Sequence, residues 1–374
     1  MDKATRGQVK RHNRRLVMRA LFEKVADNRA ALAIATGLTK PTIGTITKEL
    51  IKLGYVSEIG YGESTSSGGK RPTIIQFEPT ARQVIAVSIQ QDEIIAQLTY
   101  LDGLVLARHS LTINEGDDVE ICLQYAINAL IAQADVDLLC ITIGLSGVID
   151  SAKGMVIQSM SLAWTNRPLA KTIEKIYKLP CYIGNNTELA TRVQVKQSTQ
   201  ASQHLVTISI GDAIEIGSTF GGDIYQHSED MGQLPILSLN TTVGALRWKN
   251  IKAQAQAIIS ENPDSILASQ KFTYLLLRRA VNLGEAPALD LLDEMATILA
   301  RVYQWVIALM RPSEIVLAGA MSELGHVLLE RVETKLHENV SSNSLNDIRL
   351  TQADPNYLSL QGALLYALQE ELGI

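Results

Sequence analysis

The chain has 374 residues, 46% of them hydrophobic, and a formal net charge of −5, enough for two or three domains with sizeable cores. It contains no run of about 18 uncharged apolar residues, which excludes a membrane-spanning helix, and its N-terminus lacks the apolar segment of a signal peptide. The charge is divided unevenly: residues 1–75 hold 14 Lys and Arg against 6 Asp and Glu, and the remainder holds 20 against 33, so a basic head sits on an acidic body, as suits a polyanion-binding unit. Cys122, Cys140 and Cys181 are far apart, without zinc-ligand spacing, and read as buried thiols of a cytoplasmic protein.

In chain order, residues 13–25 place Leu16, Ala20, Leu21 and Val25 at helical spacing, with Lys10, Arg11, Arg14, Arg15 and Arg19 crowding the helix start and its other faces. Asn28 is a cap for a short second helix, Arg29–Thr36, with Leu32 and Ala35 inward, and Gly37 supplies a tight turn. Thr39 caps a third helix that tolerates Pro41 in its first turn and carries Ile43, Ile46, Leu50 and Leu53 as an apolar stripe up to Gly54. Two short helices joined by a glycine turn form the helix-turn-helix layout, whose second helix enters the major groove of DNA. The opposite face carries Lys40, Thr42, Thr45 and Lys48, and Gly44 leaves room for backbone approach. Strands at 55–59 and 73–77 flank a Gly/Ser-rich loop ending in Lys70 and Arg71, a wing with two cations placed for phosphate. Arg29, Thr39, Lys40, Thr42, Thr45, Lys48, Lys70 and Arg71 are thus the candidate contacts to a double-stranded operator.

From residue 82 the pattern changes to strands at 84–89, 94–100 and 104–109, a helix at 118–133 and a buried strand at 138–143 that ends in Gly144-Leu145-Ser146-Gly147. A strand–helix pattern covers 155–177, and a short strand at 181–183 leads through Gly184-Asn185-Asn186 into a helix near Thr187. A second block opens with a strand at 204–210 and continues with helices at 250–260, 264–282, 287–310 and 322–338, a strand at 315–318 and a last helix at 358–371. Three strands in hairpin order, then β–α alternation, repeated once, predict a duplicated α/β fold with a cleft between its halves.

These residues carry a resemblance. GLTKPTIGTITKELIKLGYV and GESTSSGGKRPTIIQF are similar to the recognition helix and wing of ROK repressors; IGLSGVID, LPCYIGNNTELA, RPSEIVLAGAMSELG and LQGALLYAL resemble segments of the ROK sugar-kinase body. The resemblance implies an α/β architecture: a winged helix-turn-helix (1–80) followed by two actin-like, ribonuclease-H-like lobes. The first lobe is expected at 81–195, completed by a C-terminal helix at 356–374, and the second at 196–355, with dimerisation helices. It further implies a repressor of carbohydrate uptake or catabolism, homodimeric or tetrameric, with a sugar or sugar-derivative effector at Ser146, Gly147, Asn185, Asn186, Glu188, Asp230 and Gln233.

The departures from the family pattern are as informative. Where the kinases carry a glycine- and lysine-bearing phosphate loop, this chain has Ser88-Ile89-Gln90-Gln91-Asp92-Glu93, which sets two carboxylates where phosphate would sit. The kinases' Asn-Asp pair is Asn185-Asn186, and an amide accepts no proton at neutral pH; the pair can hydrogen-bond hydroxyls, or simply make and cap the turn. Asp230-Met231-Gly232-Gln233 replaces the motif with the zinc-binding His, and no cysteine stands in Ser238–Ala245, where Ala245 takes a ligand's place. The expectations are therefore no catalytic residue, no metal and no cofactor, with an ATP-dependent sugar kinase and a regulator controlled by a protein partner as the competing readings.

Overall fold

The computed structural model describes residues 6–62, 71–90, 92–197, 204–211, 214–225, 242–339, 345, 347–354 and 358–374. The head begins with α1 (Arg6–Phe22), α2 (Arg29–Thr36) and α3 (Lys40–Lys52). Local chemistry sets their ends. Asn28 Oδ1 accepts from the amides of Ala30 and Ala31 at 3.1 and 3.0 Å, Gly37 adopts φ +70° after α2, and the Thr39 side chain caps α3. Leu32, Ile43, Ile46 and Leu50 are buried as the spacing predicts. Val25 and Ala35 are not: α1 stops at Phe22, so Val25 falls in the following turn and is 62% exposed, and Ala35 lies on the outer side of the short α2. Val17, Met18 and Leu21 form the inner face of α1. Antiparallel β1 (Val56–Tyr61) and β2 (Thr73–Phe77) make the wing.

The body holds two sheets of the same design. In the first, β3 (Gln83–Ile89), β4 (Glu93–Tyr100) and β5 (Val105–Thr112) form an antiparallel meander, and β6 (Leu138–Leu145) and β10 (Cys181–Asn185) add in parallel, in the order β10-β6-β3-β4-β5. In the second, β11 (Leu205–Ile210), β12 (Ile214–Phe220) and β13 (Asp223–Tyr225) repeat the meander, and β14 (Glu314–Ala318) and β15 (Arg349–Gln352) add in parallel, in the order β13-β12-β11-β14-β15. One strand sequence therefore builds both halves, as the duplicated pattern predicts. A small third sheet of β7 (Val148–Asp150), β8 (Met155–Ser159) and β9 (Trp164–Arg167) follows the first lobe's Gly147 turn.

The helices cover these sheets. α4 (Val119–Ile131) and α5 (Leu169–Tyr177) pack on the first sheet through Leu123, Ile127 and Ile173. α6 (Asn186–Gln197) runs beneath the C-terminal helix, which is α11 (Leu358–Glu371). Gly362 permits that crossing, because a Cβ there would collide with the Leu189 carbonyl. In the second lobe α7 (Trp248–Glu261), α8 (Tyr274–Asn282), α9 (Ala286–Met310) and α10 (His326–Asn339) enclose one core. The expected helix over 264–282 is instead a 3-10 turn at 266–268 and the shorter α8, because Ser265 caps the first and Thr273 independently caps the second. Likewise the helix expected from 322 opens as a 3-10 turn at 320–324 before α10. Among the described residues, no helix is long and apolar enough to cross a membrane.

One cluster of buried side chains joins the head to the first lobe. It runs from Leu32 and Ile43 through Met18 and Leu21 to Leu368, Leu372 and Ile374, and on to Cys140 under the sheet. Arg15 donates from Nη2 to the Glu370 carbonyl at 2.9 Å, and Tyr182 donates to Glu371 at 2.6 Å. Because α11 belongs to both packings, the head is held against the body by apolar burial as well as by the linking chain.

Candidate functional site

The outward face of α3 is the first functional surface. Lys40, Thr45 and Lys48 are exposed above the buried Ile43–Leu50 stripe, and Arg71 is exposed at the wing. Lys70 lies outside the described residues. The hydroxyls of Thr39 and Thr42 lie 2.8 Å apart and Thr45 donates to the Pro41 carbonyl at 3.0 Å, so these threonines brace the first turn of α3 as well as facing outward. Nothing lies within 4 Å of where a Gly44 Cβ would sit, which leaves open space over the middle of α3.

Arg29 departs from its expected place. Its Nε donates to Thr47 Oγ1 at 3.1 Å and its Nη2 pairs with Glu58 at 2.7 Å. The guanidinium thus ties α2 to α3 and to the wing strand, a bracing role within the head. Of the α1 cations, Lys10 pairs with Glu49 at 2.8 Å and Arg15 is turned toward the C-terminal helix.

The second surface is a cavity of about 370 Å³ between the lobes. Ser146 and Asn186 line it together with Gln90, Asp92 and Glu93 from the β3–β4 turn, and Trp248, Lys271 and Gly319 line it from the second lobe. Asn185 and Gly147 lie behind this wall. Asn185 Nδ2 donates to the Gly147 carbonyl at 3.0 Å, while its Oδ1 accepts from the amides of Thr187 and Glu188 at 2.7 and 3.3 Å. Capping thus accounts for the hydrogen bonds to Asn185 Oδ1, and its Nδ2 ties the start of α6 to the Gly147 turn. Asn186 donates to the Ile89 carbonyl at 2.9 Å and accepts from Ser88 Oγ at 3.2 Å.

Glu188, on the first turn of α6, is outside the cavity lining. Burial pushes its carboxyl up to about 7; Arg192 opposes the shift and Glu215 adds to it. Arg192 is occupied on its other side, donating to Gln369 at 2.5 Å and standing 4.7 Å over the Tyr366 ring. Arg167 pairs with Glu120 at 3.4 Å. Asp230, Gln233 and His227, with residues 238–241, lie outside the described residues; Gly244 and Ala245 belong to a 3-10 turn at 242–246. Among the described residues, no cluster of three or more His, Cys, Asp or Glu is placed to hold a metal.

The residue that sequence reasoning missed is Glu215, on β12 and 3% exposed. It accepts from the Gly147 amide at 2.9 Å, from Thr187 Oγ1 at 3.0 Å and from Ser146 Oγ at 3.3 Å. One second-lobe carboxylate thus holds both the Ser146-Gly147 turn and the start of α6. Its sequence signal is weak: a single charged residue inside the apolar strand Ile214–Phe220, where burial demands partners.

A ROK family sequence model matches residues 84–233 and 251–370. The chain belongs to the ROK family. Among its ROK relatives, the xylose repressor of Caldicellulosiruptor bescii is 30% identical over 183 residues, 47% of this chain and 45% of that protein, so that match spans less than half of the relative's length. The xylose repressor of Bacillus subtilis is 24% identical over 363 residues, 94% of this chain and 93% of that one. In three dimensions the ROK chain is similar to a solved ROK family transcriptional regulator, a homologue of the Escherichia coli MLC protein, with a TM-score of 0.79 at 21% identity, covering 97% of this chain and 98% of that one. That similarity extends through the winged head and both lobes, and establishes the actin-like, two-lobed fold.

Proposed function

We propose that this ROK protein is a DNA-binding transcriptional regulator, a repressor of carbohydrate uptake or catabolism genes, whose body is a non-catalytic descendant of a sugar kinase. The observation that carries the reading is the α3 face. Lys40, Thr45 and Lys48 stand exposed on a capped helix beside a wing, with Ile43, Ile46 and Leu50 turned inward and Leu53, past the helix end, 39% exposed. Such a face presents hydroxyls and ammonium groups to base edges and phosphates. A homodimer would set two such helices in successive major grooves of a near-palindromic operator. The names of the relatives, xylose repressors, support a sugar as the effector.

The body supports sensing rather than phosphoryl transfer. The cleft is electrostatically unfavourable to ATP: Asp92 and Glu93 line it in the stretch that replaces the kinases' phosphate loop, and Asn186 has no proton-accepting group to offer a sugar hydroxyl while its amide is held between Ser88 and Ile89. α6 supplies a route from cleft to head. It starts at Asn186 in the cavity wall and ends with Lys196 standing 5.8 Å from the centre of the Phe22 ring on α1. A ligand that binds one lobe arrangement better than the other would shift α6, and with it α1.

An electrophoretic mobility-shift assay with the promoter beside the protein's own gene tests the reading. Retarded DNA at low salt, released by an added sugar, is the expected result, and no retardation at low salt overturns it.

A further inference from the structure

We propose that Tyr61, on the wing strand β1, is an operator-contacting residue that reads A·T-rich steps in the minor groove beside the major groove entered by α3. The proposal rests on the DNA-binding reading and adds to it a residue that carries no charge. Ile59 and Tyr61 are 56% and 70% exposed, so two large apolar side chains stand uncovered at the outer end of β1. Arg71, also exposed, precedes the Pro72 carbonyl that accepts from the Gly62 amide at 2.8 Å. The local backbone aims Tyr61. In the antiparallel register Glu58 stands opposite Ile75 and Tyr61 opposite Thr73, with a bulge between Glu58 and Gly60. Thr73 and Ile75 are two apart on β2 and share a face, so Glu58 and Tyr61 share it as well. Without the extra residue, Glu58 and Tyr61 would fall on opposite faces. Gly60, at φ +135°, accommodates the bulge, a device that re-aims a side chain.

That face is the one turned to the helices. Ile75 is 1% exposed, in the cluster that joins head and body, and Glu58 is tied through Arg29 to Thr47 on α3. The hairpin is held in this orientation from its other edge too: the Ile75 amide donates to the Asp27 carbonyl at 2.7 Å, and Asn28 bridges to Ile74. Tyr61 therefore extends the α3 side of the wing past the end of the core, continuous with the surface that carries Lys40 and Lys48. A duplex whose major groove holds α3 brings its next minor groove alongside, and at A·T pairs that groove presents acceptors alone. The tyrosine ring packs on the sugar walls, and its hydroxyl donates to adenine N3 or thymine O2, where the exocyclic amine of guanine would stand in the way. Arg71 supplies positive charge for the flanking phosphates.

Selection of binding sites from a random-sequence duplex library by the full chain tests the assignment, with Tyr61→Ala and Tyr61→Phe run alongside. The parent is expected to enrich a core sequence with A·T-rich steps beside it. Tyr61→Ala is expected to enrich the same core with those steps lost. It should bind the parent's selected duplex about tenfold more weakly, at an unchanged slope of log K against log salt, since no charge is removed. Tyr61→Phe is expected to keep most of the affinity and lose the A·T preference, which a purely structural role for the ring would not produce. Both variants should keep the parent's far-UV circular dichroism, because the side chain is exposed. An unaltered A·T preference in Tyr61→Ala overturns the proposal and leaves the DNA-binding reading standing, whereas no enrichment of any sequence by the parent overturns both. A changed sedimentation coefficient of Tyr61→Ala without DNA also overturns it, because the ring would then serve contact between chains.

Discussion

Asn186 donates to the Ile89 carbonyl at 2.9 Å, and Ser88, on the same strand, donates back to Asn186 at 3.2 Å. A residue at the position of a kinase's proton acceptor is thereby used to fasten the start of α6 to the end of β3. Replacing it with the acid is therefore expected to harm the fold without restoring chemistry. Asn186→Asp should lose about 1–3 kcal/mol in urea denaturation, because a carboxylate faces a carbonyl oxygen where a donor stood. ATP-dependent phosphorylation of glucose or xylose should stay at background, and a measured turnover would contradict the non-catalytic assignment.

The two kinds of cation in the head should separate in a salt titration. Lys48→Ala and Lys40→Ala remove exposed charges from α3, and each should lower the slope of log K against log salt by about 1. Arg29→Ala removes a brace between Thr47 and Glu58, so it should cost about 1 kcal/mol of stability and leave the slope intact. Equal slopes for Lys48→Ala and the parent chain would remove α3 from the DNA contact.

Glu215 should matter more than its single-residue signal in the sequence suggests. Glu215→Ala strands the Gly147 amide and the Thr187 hydroxyl without their acceptor, for a loss of roughly 3 kcal/mol in chemical denaturation. Glu215→Gln, which keeps one accepting oxygen, should recover part of it. If Glu215→Ala unfolds like the parent, the carboxylate is not what holds the two lobes together.

The raised carboxyl of Glu188 gives a pH dependence of defined sign. Its folded-state value of about 7 lies above the ordinary 4.5, so the folded chain binds the proton more tightly than the unfolded one. Its contribution to stability is full below about pH 4.5, falls as pH rises through the window to about 7, and levels off above it, a change on the order of 2 kcal/mol after allowance for partial solvent access. Glu188→Gln should flatten this part of the profile, seen as a smaller difference between Tm at pH 5.5 and pH 8 than the parent shows.

The parts legible in the sequence are those set by neighbours along the chain. Asn28, Gly37 and Thr39 announce the ends of α2 and α3 because caps and left-handed turns are local, and the repeated strand order follows from hairpin spacing. Helix interiors were harder: the periodicity over 264–282 is continuous, and only the separate caps Ser265 and Thr273 show that two short elements share it. The site was legible as residue types but not as partnerships. Ser146 and Asn186 do line the cleft, yet Arg29 meets Glu58 across 29 residues and Glu215 meets Gly147 across 68. No spacing rule encodes such encounters, because they depend on how separate sheets and helices come to rest.

The Arg15–Glu370 hydrogen bond spans 355 positions, and the same junction buries Met18 and Leu21 against Leu368 and Leu372. A chain made from its N-terminus thus produces the first helix long before the surface on which that helix rests. Closing a loop of this length carries an entropic cost that local helix formation does not, and α1 cannot rest on Leu368 and Leu372 before those residues exist. A product that stops short of residue 364 would carry a recognition helix whose seat lacks Leu364, Leu368, Leu372 and Ile374.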